Sequence, residues 1–346
     1  MHSLTSIRPW YLGIVTPPLA VATTLAALLT LSPSASAAPT PDVPAAAASA
    51  SAATAPAATA PAATAPVATA PETDAADATD AADAADVAGA AFVPADSVDS
   101  PAVLARAVHY QGAAFDTCQA PPLATMKAWR SSSSYRGVGV YFGGRGRGCP
   151  VQHHLNRSWL TDVDRMGWRV LPIFVGSQSP CVRSQAKRKV RMSADSAPQG
   201  RAEGREAAEA AGKLGIQQGS ALYLDMEAYD ANNAACARTT LAFVRAWNRE
   251  VRGRGFLPGF YSSAASGVRH MEQARRAGQS DLPSVMWFAR WGSGPSLYGE
   301  PTLHADAWSP HRRIHQYAGN VTETHGGRRL VVDRNTVDAP VARFRP

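Results

Sequence analysis

Short runs of β-branched, aromatic and aliphatic residues recur eight times in the last two thirds of the chain, at 113–116, 137–142, 169–175, 221–225, 256–261, 285–289, 313–316 and 330–333. Runs of this length suit strands rather than helices. Between them the sequence reads as helical over 123–130, 156–166, 201–214, 237–252 and 266–277, with Gly167, Gly215, Gly253 and Gly278 where C-terminal caps belong. Alternating strand and helix predicts a parallel sheet of the α/β class, and eight such units in about 240 residues predict a closed (β/α)8 TIM barrel. The last three units have poor helices, so the barrel is expected to be irregular. A doubly wound open sheet is the structural alternative. It would carry a glycine fingerprint after its first strand, where this chain has Phe115-Asp116-Thr117-Cys118.

The first 105 residues lack this pattern. Arg8 precedes an apolar stretch over 12–31, and Ala35-Ser36-Ala37 follows as a small-x-small cleavage site, so residues 1–37 read as a signal peptide of the general secretory type. The paired Pro17 and Pro18 argue against a retained membrane anchor. Residues 38–105 read as a disordered linker. Thr-Ala-Pro recurs from residues 54, 59, 64 and 69, Asp recurs every third residue from Asp74 to Asp86, and residues 41–90 hold 25 alanines with nothing larger than Val for a core. The folded domain is therefore assigned to 106–346.

Charge follows the same division. The chain of 346 residues carries a formal +7, yet no Lys or Arg lies between Arg8 and Arg106, and 33 bases face 18 acids after residue 100, a formal +15 for the folded part. Such a field is expected to attract anionic polymers over long range.

The four cysteines, Cys118, Cys149, Cys181 and Cys236, all lie in the folded part. In an exported chain an even count reads as two disulfides. Four cysteines allow three connectivities, and joining loops adjacent in chain order pairs Cys118 with Cys149 and Cys181 with Cys236. There is no Cys-x-x-Cys for zinc, and His153-His154 have no third ligand nearby in sequence, so no metal and no cofactor is expected.

Chemistry on a barrel of this kind sits at the C-terminal strand ends. Those ends carry Asp116, Asp225 with Glu227, and Asp333. Alternation along a strand would place Asp225 and Glu227 on one side, separated by roughly 6.6 Å of rise. Two such carboxylates repel when both are ionised, which leaves one protonated beside a charged partner. That combination serves glycosidic cleavage: one group protonates the leaving oxygen, the other acts as base, nucleophile or electrostatic support. Tyr141, Tyr229, Tyr261, Trp287, Trp291 and Tyr317 lie near strand ends, where aromatic faces stack on sugar rings, with Arg290 and Gln316 to bond hydroxyls. Tyr141 and Trp287 divide evenly between core and site on this reading, while Tyr229 and Tyr261 lean to the site.

Six ordered segments carry a family resemblance: Phe115-Asp116-Thr117-Cys118, Gly167-Trp168-Arg169, Leu224-Asp225-Met226-Glu227-Ala228-Tyr229, Gly259-Phe260-Tyr261-Ser262-Ser263, Trp287-Phe288-Ala289-Arg290-Trp291, and His315-Gln316-Tyr317 followed by Val332-Asp333-Arg334-Asn335. Over about residues 110–340 the chain resembles the actinobacterial glycoside-hydrolase-like domain, a family similar in turn to the family 25 lysozymes of bacteria and phages. The resemblance implies a (β/α)8 barrel with an acidic pocket. In the lysozymes it implies cleavage of the muramic acid to glucosamine link, with Glu227 as general acid, Asp225 stabilising an oxocarbenium or oxazolinium centre, and Asp116 and Asp333 as supporting carboxylates. The cysteines, a basic insert after the third strand and a glycine-arginine loop after the second depart from the pattern.

Gly143-Gly144-Arg145-Gly146-Arg147-Gly148 lacks the Lys-Ser/Thr ending of a phosphate loop. Arg183, Lys187, Arg188, Lys189 and Arg191 have no interleaved aromatics, so a solvated loop is expected and nucleic acid is not. The sequence thus describes a monomeric, secreted or cell-wall associated protein with no membrane span after signal cleavage. It is expected to hydrolyse a cell-wall or extracellular polysaccharide, peptidoglycan-like, by a carboxylate pair. The alternative is a non-catalytic glycan-binding module on the same barrel.

Overall fold

The computed structural model describes Leu104 and residues 107–344. The expected signal segment, and the expected linker apart from Leu104, lie outside the described residues.

Eight strands close into one barrel in sequence order, β1 pairing with β2 and so on to β8, which pairs back to β1. The strands are β1 (His109–Asp116), β2 (Gly137–Gly143), β3 (Arg169–Phe174), β4 (Ala221–Asp225), β5 (Leu257–Ser263), β6 (Val285–Ala289), β7 (Arg313–His325) and β8 (Arg328–Pro340). Among the described residues five α-helices accompany them: α1 (Leu123–Ser132), α2 (Arg157–Arg165), α3 (Ser196–Lys213), α4 (Ala234–Gly253) and α5 (Arg269–Arg276). Local chemistry sets several of these ends. Asn156 starts α2 by accepting from the Trp159 N–H, and Asn233 starts α4 by accepting from Ala235 and Cys236. Gly167, Gly215 and Gly278 follow their helices with positive φ as expected, but Gly253 lies inside α4 and Gly255, at φ 82°, takes the terminating role.

Each strand presents one face to the barrel interior and the other to the helices. The interior cluster includes Ala114, Leu171, Ile173, Tyr223, Trp287, Ile314 and Val337. The outer cluster includes Phe115, Val138, Leu222, Phe260, Phe288, Trp129 and Trp247. β4 is buried along its whole length because it faces both layers. This double burial is why the central strands read as continuous apolar runs.

The sheet departs from the expected all-parallel order in one strand. β1 to β7 run parallel, whereas β8 is antiparallel to both β7 and β1. With no helix between them, β7 and β8 form a long hairpin turning at Gly326 and Gly327. Beyond the barrel rim this hairpin lies over α1: the Trp129 indole donates to the Arg328 carbonyl at 2.8 Å, and the Tyr135 hydroxyl to Glu323 at 2.8 Å. The weak helical signal late in the chain has this cause. A strand pair does there the covering that a helix does elsewhere.

Two disulfides join neighbouring loops, Cys118 to Cys149 with Cα atoms 5.7 Å apart and Cys181 to Cys236 at 5.9 Å. The first ties the loop after β1 to that after β2; the second ties the loop after β3 to the first turn of α4.

Candidate functional site

The interior face that carries apolar residues at the bottom of the barrel turns polar at the mouth. Asp116 ends β1 and is buried. Gly139 on β2 leaves it room, since a Cβ there would stand 2.6 Å from the Asp116 Cβ. Antiparallel pairing places Asp333 of β8 directly across from Asp116, so this acid reaches the mouth from inside a strand rather than at a strand end as expected.

Three donors converge on Asp116. The Tyr141 hydroxyl donates to Oδ1 at 2.6 Å, and Asn335 Nδ2 and Gln316 Nε2 donate to Oδ2 at 2.8 and 3.1 Å. Gln316 Nε2 also lies 3.4 Å from Asp333 Oδ2. Both amides are oriented by indoles. Trp291 Nε1 donates to Gln316 Oε1 at 3.0 Å and Trp287 Nε1 to Asn335 Oδ1 at 2.9 Å; because an indole only donates, each amide must turn its NH2 toward the carboxylates. Tyr261 adds a second donor to Gln316 Oε1 at 2.8 Å.

Even against those hydrogen bonds, burial and then the charge of Asp333 push Asp116 up to about 6. Burial also raises Asp333, with Glu227 adding to it and the Asn320 N–H opposing. Burial keeps Tyr141 and Tyr261 protonated well above the usual phenol range, so both remain donors.

The second pair of acids follows β4. Asp225 is the last residue of that strand and is buried, whereas Glu227 lies beyond it, its side chain 35% exposed. Strand alternation therefore stops short of Glu227, and a side chain from another loop sets its place. Gln178 accepts from the Glu227 N–H at 2.8 Å and donates to the Asp225 carbonyl at 2.9 Å, bracketing the turn between the two acids. Burial first, and the charge of Glu227 second, push Asp225 well above the ordinary carboxylate range, while Lys187 pulls the other way. Its Oδ1 is buried without a hydrogen-bond partner. The four acids thus act on one another: Asp116 with Asp333, Asp225 with Glu227 and Asp116, and Asp333 with Glu227.

Lys187 is the part of the basic insert that the expectation of a solvated loop misplaces. Its ammonium donates to the Gly146 carbonyl at 2.9 Å and lies 3.5 Å from Glu227 Oε1, with only 16% of the side chain exposed. Arg145 of the glycine-arginine loop donates to Ser177 Oγ and to the Val190 and Arg191 carbonyls, fastening that loop to the insert. Neither loop carries a motif from which these contacts could be read.

The expected sugar contacts divide. Tyr141, Tyr261 and Gln316 are at the mouth, bonded as described. Tyr229 is not: it is fully buried and its hydroxyl meets His270 Nδ1 at 2.8 Å, because the chain turns outward after Glu227 and carries Tyr229 into the outer core. Trp287 is buried beneath the site and supports it through its bond to Asn335 and an edge-on contact with the Tyr261 ring. Arg290 is held through one edge of its guanidinium, Nε and Nη2, against the buried carboxylate of Glu300 at 2.6 Å each, so two of its five donors close the loop after β6 rather than face a sugar. The exposed aromatic at the mouth is Trp291, 53% accessible. Its ring lies against Gly319, where a Cβ would come within 2.1 Å of the indole. Asn335 could have been found from the sequence, two residues from Asp333 on the same strand face. Among the described residues no group of three or more His, Cys, Asp or Glu is arranged to hold a metal ion, and no helix is long and apolar enough to cross a membrane. His153 and His154 are exposed.

A profile of the Rv2525c-like, glycoside hydrolase-like domain matches residues 127–337. Comparison with curated proteins finds no match. Among solved structures, an uncharacterized B. stearothermophilus protein is 18% identical with a TM-score of 0.42, the match covering 65% of this chain and 95% of that one. The Tat-secreted protein Rv2525c of Mycobacterium tuberculosis, crystallised with L-tartrate, is 17% identical with a TM-score of 0.45, covering 66% and 96%. The spore cortex lytic enzyme SleM of Clostridium perfringens is 11% identical with a TM-score of 0.41, covering 66% and 67%.

Proposed function

The chain belongs to the Rv2525c-like, glycoside hydrolase-like domain family, and on that premise we propose that it is an exported hydrolase that cleaves glycosidic bonds in a cell-wall glycan with Asp225 and Glu227. The observation that carries the reading is the bracketing of these two acids by one Gln178 side chain at the barrel mouth. Glu227, partly exposed at the rim, is placed to protonate a leaving oxygen. Asp225, deeper and with a free buried Oδ1, meets the positive centre that develops at the sugar once it has given up the proton that burial and Glu227 favour. Asp116 and Asp333 support the pocket, and Trp291 offers a flat, exposed face for a sugar ring. Export through a cleaved segment 1–37 and a tether over 38–105 accounts for the two disulfides of the 106–346 domain.

One contact favours the other reading, a glycan-binding module without turnover. The ammonium of Lys187 lies 3.5 Å from Oε1 of Glu227, so a lysine already meets the carboxyl that a leaving oxygen would have to approach. The test is reducing-end release by the secreted protein from purified peptidoglycan and a panel of wall polysaccharides, with Glu227→Gln as control. Release that vanishes in the variant supports the hydrolase and identifies its substrate class. Saturable binding by both proteins without release replaces it with the binding module.

A further inference from the structure

The chain from Asp164 to Asp195 contains no acid between its ends but seven bases, Arg165, Arg169, Arg183, Lys187, Arg188, Lys189 and Arg191. The last five lie in the loop after β3, whose 3-10 helix spans Gln185–Val190. Lys187 turns inward to Glu227. Arg183, Arg188, Lys189 and Arg191 are exposed, and among the described residues none of the four makes an ion pair. Elsewhere on the barrel the contrast is plain: Arg249, Arg254, Arg275, Arg290 and Arg334 are all paired with acids.

This loop is built rather than loose. Gln178 N–H donates to the Val190 carbonyl at 2.9 Å and Met192 N–H to the Gln178 carbonyl at 2.8 Å, so the residue that brackets the two acids also anchors the loop's far end. Arg183 N–H donates to the Ala228 carbonyl at 2.8 Å, next to Glu227, and the Cys181–Cys236 bond lies two residues before it. The backbone that carries these four unpaired cations is therefore fixed on a frame shared with the carboxylates. Ordering costs that a mobile basic loop would meet on binding are already met here.

We propose that the loop carrying Arg183, Arg188, Lys189 and Arg191 is a subsite for carboxylate or phosphate groups borne by the glycan that enters the acidic mouth. This deepens the hydrolase reading and rests on the same site. The acidic pocket alone would repel an anionic polymer; the loop gives its charged substituents a place outside the pocket while the sugar ring enters it.

The test is calorimetric binding by the full-length protein of three oligomers of equal length: galacturonate (carboxylate), a glycerol phosphate polymer (phosphodiester) and chitin (neutral). Arg188→Ser/Lys189→Ser should weaken binding of an anionic oligomer about tenfold, the effect of losing two exposed charges, and leave chitin binding unchanged. Which anionic oligomer responds identifies the source of the charge. Equal loss for chitin, or no loss for either anionic oligomer, overturns the proposal, as does equally tight binding to duplex DNA or to phosphatidylglycerol vesicles. Arg183→Ser/Arg191→Ser repeats the measurement should the first variant misfold. Selective anionic binding without reducing-end release would leave this subsite standing and remove the hydrolase reading.

Discussion

The indole N–H of Trp291 donates to Oε1 of Gln316 at 3.0 Å, and through that bond an exposed aromatic at the rim orients a buried amide at the floor. Trp291 thus has two parts in the proposed site, an exposed ring face and a lock on the donors that serve Asp116 and Asp333. Trp291→Ala should weaken oligosaccharide binding about tenfold, the upper range for an aromatic contact, with little change in melting temperature because the ring is half exposed. Calorimetry on both proteins checks it; unchanged affinity would remove Trp291 from the site.

Gln178 has no apolar substitute. Gln178→Leu leaves the buried Asp225 carbonyl and the Glu227 N–H without their bracket, and should cost about 1–3 kcal/mol in urea unfolding. It should also reduce any turnover more than it reduces glycan affinity, since it displaces the acids rather than the stacking surface.

The part of the stability that Asp116 contributes should fall as pH rises between about 4 and 6. Its folded value, about 6, lies above the ordinary 3.8, so the folded protein holds a proton that the unfolded chain releases. The contribution is complete below about 4 and is lost as pH climbs through 6. Asp225 and Asp333 are raised in the same direction. Between about pH 4 and 7 the melting temperature of Asp116→Asn should fall less than that of the unchanged protein, the two profiles separating as pH rises through 6; parallel profiles would refute the assignment.

Opening the Cys181–Cys236 bond releases a loop of 55 residues in sequence separation. Cys181→Ser/Cys236→Ser should lower unfolding free energy by about 4 kcal/mol if chain entropy dominates. Because the basic loop and Gln178 share that frame, the same variant should lose part of its preference for anionic oligomers. Mass spectrometry of the secreted protein should find no alkylatable thiol before reduction.

Deleting residues 38–100 should leave the melting temperature unchanged, as expected of a tether. A large drop would mean that this segment packs on the barrel.

Eight short apolar runs with helices between most of them were enough to read the barrel: strands buried on both faces leave continuous apolar runs, and eight of them without a glycine fingerprint after the first suit a closed sheet better than a doubly wound one. The acids were legible for a similar reason: strand-end positions on this architecture are few, and Asp116 and Asp225 occupy them. Pairing of the cysteines also followed from chain order, since adjacent loops meet at the same rim. What the local pattern could not contain was direction and partnership. A strand reads alike whichever way it runs, so only the assembled sheet decided that β8 is antiparallel and that Asp333 faces Asp116 from mid-strand. Tyr229 and Arg290 looked like sugar contacts by proximity along the chain, yet a turn after Glu227 buries one and Glu300 holds the other. Lys187 and Gln178 reach the carboxylates from a loop 40 to 50 residues away in sequence, Gln178 lying 49 from Glu227. Sequence determined which side chains this protein has for its chemistry and the layer each strand residue faces, through periodicity. Tertiary structure alone decided which of them meet, because hydrogen bonds and burial depend on distance in space, to which spacing along the chain is blind.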